Sequence, residues 1–223
     1  MASRYDRRGM NNELHTGPLG EASQYAEGYS PERLFAMPRV EGRHAVGLMA
    51  LPEWHGQDIW TGFEFSWLNE KGKPKVAVLR LTVPALSSHI VESKSMKLYL
   101  NGFAQTRFDS VLAVSERLTK DLGSAFGGEV GVELLALADS SLDVGELQGE
   151  CLDELDVAIT DYQRNPDLLA LTASVGSDDV SVTQELTTHL FRSLCPVTAQ
   201  PDWASVFVSY TGAPIDRVGL LKY

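Results

Sequence analysis

Cysteine is scarce: Cys151 and Cys195 are the only two in 223 residues. Neither belongs to a Cys-x-x-Cys pair. The five histidines (His15, His44, His55, His89, His189) show no His-x-x-x-His or mixed Cys/His spacing. Spacing therefore supports no zinc site, and the expectation is a protein without a metal. No apolar run approaches the length of a membrane span. Arg4, Arg7 and Arg8 have no apolar segment behind them, so a secretory signal is not expected, and Asp6 and Glu13 make a poor transit peptide. The expected location is the cytoplasm, with both thiols reduced.

Positive charge is also in short supply. Lys and Arg total 19 against 30 Asp and Glu, a net charge of −11. Contacts to nucleic-acid phosphates need clustered Lys and Arg, so DNA, RNA and tRNA are disfavoured as partners. A nucleobase handled here would be free and small. What remains is an ordinary soluble composition, 43% hydrophobic and 22% charged, enough for one large domain or two small ones.

Residues 1–55 are punctuated by Pro18, Pro31, Pro38 and Pro52 and keep no periodicity. They read as an irregular arm packed over the body or a neighbouring subunit. Regular structure begins at Ile59. Ile59, Thr61, Phe63, Phe65 and Trp67 alternate with Trp60, Gly62, Glu64 and Ser66, which predicts a half-buried strand. Asn69-Glu70-Lys71-Gly72 is a hairpin turn, and Ala77, Leu79, Leu81 and Val83 face one way on the returning strand. A helix to about Phe103 follows, then a second one capped by Asp109, with Val111, Leu112, Val114, Leu118 and Leu122 on its apolar side. Strands are predicted over 129–137 and 155–160. The order gives an α+β domain, helices on one face of an antiparallel sheet, over 56–165. Residues 166–223 repeat the hairpin-then-helix order: an edge strand within 168–175, a turn at Gly176-Ser177-Asp178-Asp179, strands over 180–190 and 205–210, and a helix from Ile215.

Two constellations carry chemistry. The first is Val91-Glu92-Ser93-Lys94-Ser95-Met96-Lys97 at the predicted start of a helix. Unpaired N–H groups and the helix dipole favour anions there. Glu92 can accept two N–H bonds from a flat heterocycle, and Lys94 and Lys97 suit a phosphate. The same residues also fit an ordinary solvated first turn. The second is the loop from Ser193 to Trp203, where Cys195 and Asp202 each stand beside a proline. A cysteine attacks as thiolate, with an ordinary pKa of about 8.5. A protonated aspartate can supply a proton to whatever the sulfur attacks. Cys195 reads equally as a small buried hydrophobe and Asp202 as a turn residue. His189, six residues earlier, is either a general base for Cys195 or a structural histidine. Cys151, between acidic neighbours, reads as inert.

Taken together the chain resembles the 7-cyano-7-deazaguanine reductases, the NADPH-dependent nitrile reductases of queuosine biosynthesis, in their long two-domain form. The resemblance rests on Glu64-Phe65-Ser66-Trp67-Leu68-Asn69 with Lys71-Gly72, on Glu92 through Asn101, on Gln105-Thr106-Arg107-Phe108, and on Cys195 with Gln200-Pro201-Asp202-Trp203. It implies tandem tunnelling-fold domains, the second incomplete, in a homodimer. It implies that Cys195 adds to the nitrile carbon to give a thioimide, and that Asp202 protonates the nitrogen. It implies that Val91, Glu92 and Ser93 hold the substrate, and that Ser93 and Lys94 contact NADPH. No Gly-x-Gly-x-x-Gly follows a strand, so the cofactor would bind outside a Rossmann domain. The family also carries a His-Glu pair and an Arg-Gly contact beyond the first helix of its second domain. The sequence stops at Tyr223, so the resemblance assigns no residue to those roles. The expectation is a fragment of a longer protein; the alternative is an inactive deazapurine- or pterin-binding protein of the same fold.

Overall fold

The computed structural model describes residues 28–50, 55–139, 145–160, 162–163, 165–172, 180–195 and 199–223. The chain divides into two compact units at 142/143. The first 27 residues of the arm and the expected turn at 176–179 lie outside the described residues.

In the first unit, β1 (Ala36–Pro38) and α1 (Arg39–Ala45) come from the arm. They are followed by β2 (Gln57–Asn69), β3 (Pro74–Pro84), β4 (His89–Val91), α2 (Ser93–Asn101), β5 (Arg107–Phe108), α3 (Val111–Phe126) and β6 (Gly131–Leu135). The sheet order is β5-β2-β3-β6, with β1 paired separately to β4. Its pairs are antiparallel except at the edge, where β5 runs parallel to β2. The turn between β2 and β3 is closed by Asn69, whose side chain accepts the N–H groups of Lys71 and Lys73 at 3.1 and 2.9 Å.

The period-two pattern of β2 is broken. Gly62 pairs with Leu79, yet Phe65 pairs with Ala77, so one extra residue is inserted between them. Such a bulge exchanges the faces of the strand on either side of it. Phe65 and Trp67 are buried, whereas Ile59 and Phe63, expected on the same face, are exposed. Trp60 turns inward instead and packs against Phe126, with ring centroids 6.1 Å apart.

The helices cover the face that carries Ala77, Leu79, Leu81 and Val83. Val114, Leu118, Leu122 and Phe126 of α3 recur every four residues and are all fully buried. Burial of each contributes about 2 kcal/mol. Val111 and Leu112, expected on that side, are exposed. The cap is Ser110 rather than Asp109: its hydroxyl accepts the Ala113 N–H at 3.1 Å. Gly127, at φ 68°, ends α3 in the left-handed conformation glycine tolerates.

The described part of the arm carries β1 and α1 and packs on this body. Tyr29 donates to Asp121 at 2.5 Å, and Arg39 bonds Ser87, the His89 carbonyl and Asp58. A Cβ at Gly102 would lie 2.7 Å from the Gly28 carbonyl oxygen, so glycine admits the arm there.

The second unit contains β7 (Glu150–Cys151), β8 (Val182–Leu194), β9 (Pro201–Gly212) and α4 (Arg217–Lys222), in sheet order β7-β8-β9. The strand expected at 155–160 is absent; the pairing residues are Glu150 and Cys151, which add to β8 in parallel. The expected edge strand near 168–175 reduces, among its described residues, to a 3-10 turn at Pro166–Leu168 and a single bridge from Leu171 to Ile215. Like β2, β8 carries a register shift, between Thr188 and Phe191.

Candidate active site

The first constellation lies where β4 ends and α2 begins. Val91 is buried at the end of β4, and its strand is held by β1, with Ala36 opposite Val91. Glu92 is the N-cap of α2. Its carboxylate accepts the N–H groups of Lys94 (2.8 Å) and Ser95 (2.7 Å), one on each oxygen. Glutamate is an unusual cap, because its longer chain must fold back to reach the first turn. Here the fold-back is enforced by burial, since Glu92 is 7% exposed.

Ser95 braces this cap. Its hydroxyl donates to the Glu92 carbonyl at 2.7 Å and accepts the Phe35 N–H at 3.0 Å. The Glu92 N–H donates to the Phe35 carbonyl at 2.9 Å. The arm thus fixes both sides of Glu92. Sequence reading gave Glu92 a ligand-binding role and did not see its capping role; the signal available was the acid directly before a helical run. A carboxylate has about four acceptor sites, so two capping bonds leave capacity for a ligand. Ser93 is exposed on the first turn, with Lys94 half-buried and Lys97 exposed beside it. A hydroxyl and two ammonium groups at the positive end of a helix are a donor set that fits an anionic dinucleotide.

The second constellation lies at the end of the β8–β9 hairpin. The Cys195 N–H donates to the Gln200 carbonyl at 2.9 Å, and the Ala199 N–H donates to the Cys195 carbonyl at 2.8 Å. Ala199 holds φ 56°, the left-handed conformation that lets both bonds close. Ser193 is directly opposite Asp202. Cys195 and Asp202 are therefore diagonal neighbours on the same side of the pleat, with a spacing of roughly 7–8 Å. Cys195 is half-buried and Asp202 exposed. A thiol and a carboxyl so placed can reach two atoms of one small group. His189 has other partners: its Nδ1 is hydrogen-bonded to the Ser205 hydroxyl at 2.6 Å.

Val91, Glu92, Ser93 and Lys94 thus come together in the first unit, and Cys195 and Asp202 in the second. Asp153 was not singled out by sequence reading. It accepts the Thr188 hydroxyl at 2.7 Å and the His189 N–H at 3.2 Å, so it holds β8 where the register shifts.

Comparison with known proteins identifies the family. Residues 25–134 match the family model described as nitrile reductase, 7-cyano-7-deazaguanine reductase, N-terminal part. The NADPH-dependent 7-cyano-7-deazaguanine reductase of Burkholderia orbicola (strain MC0-3) is 46% identical over 207 residues, which cover 92% of this chain and 74% of that protein. The protein of the same name from Burkholderia thailandensis is 47% identical with the same coverage. The chain belongs to the NADPH-dependent 7-cyano-7-deazaguanine reductase family, and its α+β architecture is that of a tunnelling fold.

Proposed function

We propose that this protein reduces the nitrile of 7-cyano-7-deazaguanine to the aminomethyl group with NADPH, in queuosine biosynthesis, as a cytoplasmic homodimer. The observation that carries the reading is the diagonal placement of Cys195 and Asp202 across the hairpin end, in a chain 46% identical to a reductase so named. In this reading the Cys195 sulfur attacks the nitrile carbon and forms a C–S bond. The thiol proton passes to the Asp202 carboxylate as the sulfur attacks, and Asp202 hands it on to the nitrile nitrogen, so the adduct is a neutral thioimide. A covalent adduct divides a difficult reduction into easier steps. NADPH, when bound, supplies hydride, and two equivalents are required to take a nitrile to an amine. Cys195 leaves as its C–S bond breaks in the course of the reduction. The two protons that accompany the two hydrides come from water, which reaches Asp202 at the exposed hairpin end.

Glu92 would accept N–H bonds from the guanine-like edge with the acceptor positions its capping bonds leave, flanked by Val91 and Ser93. Ser93 and Lys94 would hold the dinucleotide. Among the described residues no helix is long and apolar enough to cross a membrane. Neither a membrane nor a nucleic acid is a partner in this reading, and the net charge of −11 supports the latter.

The test is NADPH oxidation started by the nitrile, followed with product analysis. The reading expects two NADPH consumed per amine formed and loss of turnover in Cys195→Ala. NADPH oxidation that is independent of the nitrile, or unchanged in Cys195→Ala, would refute it.

A further inference from the structure

Three side chains that the nitrile chemistry does not use converge in the second unit. Cys151, Asp153 and His189 each offer a ligand atom, and these atoms lie within 4.8 Å of one another. We propose that they form a binding site for one divalent cation of the zinc class, with a water or small exogenous ligand in the fourth position.

The donor set selects the cation. A thiolate, a carboxylate and an imidazole are the mixture that zinc takes, whereas magnesium and calcium take oxygen alone. A thiolate and a carboxylate carry two negative charges, which a dication neutralises; binding releases the Cys151 thiol proton to solvent. Around a tetrahedral zinc, ligand atoms stand roughly 3.3–3.8 Å apart. The cluster must therefore contract by about 1.5 Å at most, which side-chain rotations supply.

The fold assembles these residues from two segments. β7 lies parallel to β8 with Cys151 opposite Thr187, which brings the chain after Cys151 alongside Thr188 and His189. The Thr188 hydroxyl and the His189 N–H both donate to Asp153, and the Cys151 thiol bonds the same carboxylate. The Ser205 hydroxyl of β9 engages Nδ1 of His189. Both the carboxylate and the ring thus carry the outer hydrogen-bond partners that orient metal ligands. Cys151 and His189 are exposed, so an ion can enter from solvent. Residues 151, 153 and 189 fit no ligand-spacing motif, which is why the sequence gives no sign of the site.

The test uses the full chain, stripped of metal and titrated with Co2+, with Zn2+ as competitor. The expected result is saturation at one equivalent, a thiolate-to-cobalt charge-transfer band with four-coordinate ligand-field absorption, and displacement by Zn2+. Cys151→Ser removes the charge-transfer band, and Ser205→Ala weakens binding by about tenfold or more. Cys195→Ser keeps the band, which separates this site from the nucleophile. Absence of saturable one-equivalent uptake by the unaltered chain would overturn the proposal. So would a band that survives Cys151→Ser and disappears in Cys195→Ser. The unaltered chain and the Cys195→Ser variant decide the matter even where Cys151→Ser does not fold.

Discussion

Ser95 and Glu92 hold each other at the start of α2. The Ser95 N–H donates to Glu92 Oε2 at 2.7 Å, and the Ser95 hydroxyl returns a bond to the Glu92 carbonyl, also at 2.7 Å. The residue proposed to recognise the substrate is therefore a structural cap. Glu92→Ala should cost about 1–2 kcal/mol of stability through loss of the cap. Glu92→Gln keeps only one of the two acceptor oxygens and loses the charge at the positive helix end, so it should cost about as much, roughly 1–2 kcal/mol. Thermal unfolding without ligand checks both. If Glu92→Ala leaves the midpoint unchanged, the capping account is wrong.

Ser95→Ala leaves the Phe35 N–H without the acceptor it has now, in a part-buried setting. The expected cost is about 1–3 kcal/mol. Hydrogen exchange at the Phe35 amide should accelerate in the variant, while exchange in the middle of α3 follows only the global change. Equal acceleration at both places would show that Ser95 acts on the whole unit rather than on the arm.

Ala199 sits at φ 56°, where a Cβ is strained. Ala199→Gly should stabilise the hairpin end by about 0.5–1 kcal/mol, the relief of strain being partly offset by glycine's greater unfolded-state freedom. The urea midpoint should rise without a change in slope. A fall in the midpoint would mean that the left-handed conformation is not held in solution.

Burial, and then its hydrogen bond to Asp121, push the pKa of Tyr99 far above the ordinary 10.0. The sign follows from linkage. The folded state favours the neutral phenol, so the stabilisation is complete below pH 10.0 and is lost as pH rises from there towards the raised folded value. Denaturant unfolding at about pH 8 and about pH 11 should show this alkaline loss. Tyr99→Phe should reduce it, although Tyr29, also raised by burial and Asp121, keeps part. An identical alkaline slope in Tyr99→Phe would contradict the assignment.

The sequence shows the two hairpins, the two helices between and the two chemical constellations, because each rests on periodicity or on residue types in a short run. What it hides comes from single inserted residues and distant contacts. The bulge between Gly62 and Phe65 reverses the faces of β2, so Phe63 and Phe65 separate although the alternation puts them together. Asp109 and Ser110 both suit a helix cap, and backbone geometry chooses Ser110. The alternation at 155–160 looks like a strand, but the pairing edge beside β8 is taken by Glu150 and Cys151. Glu92 is legible as an anion at a helix start, yet its brace comes from Phe35, 57 residues earlier in the chain. Asp153 and His189, 36 residues apart, meet only because β7 joins β8 in parallel.

The central claim is that Cys195 is the nucleophile that attacks the nitrile. Its most direct test is the intact mass of the folded chain after incubation with 7-cyano-7-deazaguanine in the absence of NADPH. The account predicts a gain of one substrate mass, mapped to the peptide carrying Cys195 and absent in Cys195→Ala. A folded chain that binds the nitrile and gains no mass, or gains it at Cys151, would contradict the account.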